Sequence, residues 1–72
     1  MGDAARVLDV VALTADMPER GLVRGQVGTV VEKLADDTFE VEFVDEAGHT
    51  YAQCAISANH LLVLHYKPSR VA

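Results

Sequence analysis

From Phe39 to Asp45 the chain alternates, with Phe39, Val41 and Phe43 on one side and Glu40 and Glu42 on the other. A period of two is the mark of an extended strand with one face buried. The polar run Asp45-Glu46-Ala47-Gly48 comes next, and Gly48 can take the positive φ that closes a hairpin of three to four residues. His49 to Ile56 then reads as a second strand, paired antiparallel with the first. Upstream, Gln26 to Leu34 is rich in β-branched residues and stops at the polar turn Ala35-Asp36-Asp37. The pattern thus predicts a three-stranded meander from about Gln26 to Ile56.

Val7 to Leu13 and Leu61 to His65 supply the flanking strands. Between the first two strands, Thr14 to Gly25 carries Pro18, Gly21 and Gly25; it is long for a hairpin and reads as an ordered surface excursion. Ser57-Ala58-Asn59-His60 is too short for an α-helix and suits one 3₁₀ turn. A glycine inside a strand costs entropy, so Gly28 marks either a bulge or a place where another segment crosses close to the backbone. Strand, long loop, meander, 3₁₀ turn, strand is the order of a small five-stranded SH3-like barrel, an all-β fold in which Gly25, Gly28 and Gly48 are structural. Residues 1–66 form the expected domain; residues 67–72, with Pro68 and little apolar content, are expected to fray. There is no internal repeat and no linker.

Composition narrows the class further. Seventy-two residues allow one core, and so short a chain buries only about 60% of the surface it exposes when unfolded. Half of the residues are apolar, which suffices for a packed core and argues against a disordered chain. The single cysteine, Cys54, cannot form an internal bridge, so a disulfide-stapled secreted scaffold is excluded and a reducing cytoplasm is expected. The apolar run Val7 to Leu13 is short and broken by Asp9, so neither a signal peptide nor a membrane span is expected. A net charge of −5 repels phosphate backbones and anionic membranes and favours basic partners, although the same charge also serves solubility.

The segments Leu8 to Leu13, Asp16, Pro18-Glu19, Gly21-Leu22 and Arg24 to Glu32, with Glu40 to Phe43 and the Gly48 turn into Thr50-Tyr51-Ala52, resemble the bacterial family known as domain of unknown function 4926. The resemblance runs from about Leu8 to Leu64. It implies a stand-alone short protein without an established activity. Some members are encoded beside larger toxin-like proteins, which implies an antitoxin- or immunity-like partner role. Gly25-Gln26-Val27-Gly28-Thr29-Val30 also resembles the KOW motif, whose members often bind RNA. The region around that segment offers only Arg20, Arg24 and Lys33 among Asp16, Glu19 and Glu32, whereas nucleic-acid binding needs clustered cations and aromatic platforms. The motif therefore reads as a fold signature, and nucleic acid is a disfavoured ligand.

Chemistry-bearing residues are few. His49, His60, His65 and Cys54 are metal-ligand types without metal-ligand spacing, and alternation sets His49 and Cys54 on opposite faces. Cys54, among Ala52, Ala55 and Ile56, reads as a buried apolar thiol. Ser57 and His60 suit a local capping hydrogen bond. No catalytic, metal or cofactor site is expected, and the chain reads as a binding module and not an enzyme. The candidate partner-binding residues are Glu40, Glu42 and Asp45 on the acidic sheet face, and Met17, Pro18, Leu22 and Arg24 on the long loop. Met17 and Leu22 have an alternative role, folding inward to plug the barrel end. The expected partner is another protein with a basic surface; a homodimer through an exposed edge strand is compatible with the pattern.

Overall fold

The Phe39, Val41, Phe43 alternation is the middle strand of a hairpin pair: β3, Thr38–Val44, lies between β2, Val27–Ala35, and β4, Thr50–Ser57. The computed structural model describes residues 5–68. The remaining elements are β1, Val10–Leu13, the 3₁₀ turns η1, Pro18–Arg20, and η2, Ala58–His60, and β5, Leu61–Val63. The five strands make one antiparallel sheet in the order β4-β3-β2-β1-β5. This is the expected all-β architecture with its 3₁₀ turn before the last strand. The sheet is not closed: among the described residues β4 and β5 do not pair, and each is an edge.

β2 carries both of its neighbours: Val27 to Thr29 pair with β1, and Thr29 to Ala35 with β3. Gly28 sits at the changeover, opposite Val11. A Cβ there would lie 2.7 Å from Val41 Cγ1, 2.8 Å from the Glu42 carbonyl oxygen and 2.9 Å from Phe43 Cδ2. Of the two roles open to Gly28, close crossing is the one it fills. The bulges fall elsewhere on β2, between Val30 and Glu32 and between Lys33 and Ala35. Gly48 and Gly25 do take positive φ, 87° and 95°.

The inward faces of β1 to β4 contribute Val11, Leu13, Val30, Phe39, Val41, Phe43, Cys54 and Ile56, all buried. Fully burying side chains of this size contributes about 1.5–3 kcal/mol each before entropy is counted. Leu22, 1% exposed, completes this core from the long loop, with Met17 packed against it. The loop is held by the Met17–Leu22 bridge and by Asp16 Oδ1, which accepts a 2.8 Å hydrogen bond from the Arg24 N–H. Gln26 joins it to the sheet: Oε1 accepts from the Val23 N–H at 2.7 Å, while Nε2 donates to the Tyr51 hydroxyl at 3.2 Å.

Two strands are shorter than the apolar pattern predicts. β1 begins at Val10 and not Val7, because the Asp9 carboxylate accepts from the Arg6 N–H at 2.8 Å and closes a turn. Leu8 within that turn has φ 79° and is exposed. β5 ends at Val63 and not His65, although the Leu64 N–H still donates to Val10 at 2.9 Å. Lys67 and Pro68 of the expected tail are exposed coil; the rest of that tail lies outside the described residues.

Gly28→Ala is expected to cost about 2 kcal/mol, because a backbone oxygen and two core side chains must give way. Gly48→Ala has open space around it and only its positive φ to oppose it, so its expected cost is about 1 kcal/mol. Urea midpoints of the two variants, at unchanged slope, check the order.

Candidate functional site

With Phe39, Val41 and Phe43 turned inward, the other face of β3 presents Glu40 and Glu42, both partly buried. Across the β3–β4 ladder Glu40 lies opposite Ala55 and Glu42 opposite Gln53. Thr50 Oγ1 donates to Glu42 Oε2 at 2.6 Å, and Gln53 Nε2 donates to Glu40 Oε2 at 3.2 Å. Neutral donors on β4 therefore orient the carboxylates without neutralising them.

On the β2 side Glu42 lies opposite Thr29 and Glu40 opposite Glu32. Like charges directly opposite each other on neighbouring strands destabilise a sheet by a few tenths of a kcal/mol. Among the described residues the one Lys or Arg ion pair is Lys33–Asp36 at 3.9 Å, and the His49 ring nitrogen lies 3.7 Å from Asp45; both contacts are exposed. Neither involves Glu32, Glu40 or Glu42. Among the described residues the acidic face is thus a group of three carboxylates on adjacent strands with no cation paired to them.

Glu32 was not among the residues the sequence offered for this face, and β2 shows why. Had the hairpin continued without irregularity from its Ala35↔Thr38 pair, Lys33 would stand opposite Glu40 and offset its charge. The bulge between Lys33 and Ala35 slips the register by one, setting Lys33 opposite Phe39 and Glu32 opposite Glu40. No composition signal marks that slip; only the pairing does.

Asp45 belongs to the hairpin and not to the face. Its Oδ1 accepts from the N–H groups of Ala47 and His49, each at 2.9 Å, so its carboxylate holds the turn that Gly48 completes. On the loop, Leu22 takes the inward one of its two roles: its burial in the core removes it from the candidate surface. Met17 is partly buried against the core, whereas Pro18 and Arg24 are exposed. Pro18 opens η1, where its missing N–H has no role to fill.

The remaining chemistry-bearing residues stay apart. His49 is in the hairpin loop, ahead of β4, while Cys54 is buried in the core. Among the described residues no group of three His, Cys, Asp or Glu side chains is placed to hold a metal ion. Burial pushes the Cys54 thiol above its ordinary value, an effect partly offset by the nearby Arg20 charge and reinforced by Glu40 and Glu19. Ser57 Oγ pairs with Asn59 Oδ1 at 2.6 Å, not with His60, and makes no side-chain cap on η2. No helix among the described residues is long and apolar enough to cross a membrane.

Asp45→Ala should lower stability by about 1 kcal/mol through the two lost acceptor contacts, read as a thermal midpoint. For Cys54 the folded state holds the proton more tightly than the unfolded chain. The thiol's share of stability is therefore complete below its ordinary value of 9.0 and is lost as pH rises past it toward the raised folded value. Urea titrations between neutral pH and pH about 10 should show that loss in the natural chain and not in Cys54→Val.

The chain belongs to the family described as Domain of unknown function (DUF4926), whose model matches residues 7–63. Comparison with curated proteins and with solved structures gives no match.

Proposed function

We propose that this DUF4926 protein is a protein-binding module whose outer sheet face, built by Glu32, Glu40 and Glu42, receives a basic surface of its partner. The supporting observation is the Glu32↔Glu40 pair: a bulge spends stability to set two carboxylates side by side, and no cation among the described residues relieves them. Charge held without a counterion in the unbound protein is most useful for speeding the approach of a cationic partner and selecting against anionic ones. The net charge of −5 extends the same field over the molecule. Pro18 and Arg24, exposed on the long loop, can add contacts beyond this face. An antitoxin- or immunity-like role, in which one such partner is held stoichiometrically, is the specific form of this reading.

Capture of the tagged protein's partners from its native host, with and without nuclease, tests the proposal. A single stoichiometric protein that survives nuclease is the expected outcome, and loss of all retained material on nuclease treatment would contradict it. With the partner in hand, the Glu40→Lys, Glu42→Lys double variant should associate about tenfold more slowly at low salt. Its thermal midpoint should hold or rise, because Lys at position 40 would face Glu32. Unchanged association would remove the acidic face from the interface.

A further inference from the structure

The open sheet leaves two edges, and they are unlike. β5 is three residues long, and brevity is a common way in which proteins keep an edge from pairing with other chains. β4 is eight residues long, Thr-Tyr-Ala-Gln-Cys-Ala-Ile-Ser from Thr50 to Ser57, and holds no charged residue and no proline. Its ladder irregularity lies at its beginning, between Phe43 and Val44 on the partner strand, leaving the run from Ala52 to Ser57 in unbroken register with β3. The devices that usually blunt an edge are missing from that run.

The phase of the hydrogen bonds shows which groups are open. The Ala58 N–H donates to the Asp37 carbonyl at 2.7 Å, and in an antiparallel ladder every second residue then bonds to the same neighbour. Ile56, Cys54 and Ala52 therefore bond toward β3, while Gln53, Ala55 and Ser57 turn their N–H and C=O groups away from it. Among the described residues no other strand pairs with β4. Gln53 and Ala55 are exposed.

We propose that β4 is a strand-addition site: an extended partner segment with basic side chains at alternate positions pairs with Gln53 and Ala55 as a sixth strand, its cations reaching Glu40 and Glu42. This rests on the acidic-face reading above and names the form of the partner. A strand added to β4 lies two spacings, about 10 Å, from β3, a gap that a Lys or Arg side chain and a Glu side chain close between them. Ala55, opposite Glu40, is small enough for such a side chain to pass over it. Charge selects this occupant over a second copy: pairing β4 with another β4 joins two chains of net charge −5 and brings no cation to either pair of glutamates.

The test uses an acetylated, amidated heptapeptide, Thr-Lys-Val-Lys-Val-Lys-Thr, with its Glu-for-Lys counterpart and two N-methylated forms, each blocking one of the two alternating sets of amides. At low salt the Lys peptide should bind, slowing amide exchange at Gln53 and Ala55 about tenfold; the Glu peptide should not. One N-methylated form should lose at least about tenfold in affinity and the other should keep it, because only one set of amides faces β4. Ala55→Pro removes an N–H that serves no β3 bond and should abolish binding; the methylated pair gives the same answer without altering the protein. Equal binding of both methylated forms overturns strand addition and leaves the acidic-face reading standing. Affinity lost on methylation but unaffected by Glu40→Lys, Glu42→Lys overturns the acidic-face reading. Concentration-dependent protection of Gln53 and Ala55 without peptide assigns the edge to a second copy, and no binding at about 1 mM peptide overturns the proposal.

Discussion

The approach of Val41, Glu42 and Phe43 to Gly28 is the contact on which this fold turns. β2 serves two partners, β1 and β3, with Thr29 paired to both, and the sheet covers a core of ten apolar side chains among the described residues, Phe39 and Phe43 the largest. That approach is possible because one position on β2 has no side chain, so β3 can lie within 3 Å of where a Cβ would be. Val11 opposite Gly28, Phe43 above it and the hairpin beyond β3 all take their places from that approach. For so small a domain, whose buried fraction is limited by its length, a void or a clash at this point has no second core to absorb it.

Most of the framework was legible because it rests on local, repetitive signals. Alternation marked β3, Gly48 marked its turn, and Gly28 announced a special backbone position. What was not legible is what tertiary pairing decides. Leu22 was open to a surface role or a core role, and a loop leucine carries no periodicity that could choose; the Met17–Leu22 bridge closes the loop with Leu22 in the core. Val7 and Leu8 have the composition of a strand, yet Asp9 bends the backbone through a hydrogen bond three residues back. The family resemblance read over Leu8 to Leu64 coincides closely with the matched residues 7–63.

The acidic face divides in the same way. Glu40 and Glu42 follow from alternation, but Asp45, next in the same run, is taken up by backbone amides of the hairpin. Glu32 joins them only through a register slip that displaces Lys33. A single inserted residue thus converts what would have been a self-neutralised pair of strands into a surface of one sign. Bulges are usually discussed as geometry; here the same irregularity sets the electrostatics.

Gln26, just ahead of β2, ties the long loop to an edge strand. Its one amide group holds the loop through Val23 and the start of β4 through Tyr51, and Tyr51 in turn leans on Phe43, ring centroids 6.2 Å apart. Loop and edge strand are thereby latched to each other and to the core by a single neutral side chain. Displacing either one has to break that latch, so the two exposed parts of the molecule are mechanically coupled across a boundary that no backbone ladder spans among the described residues.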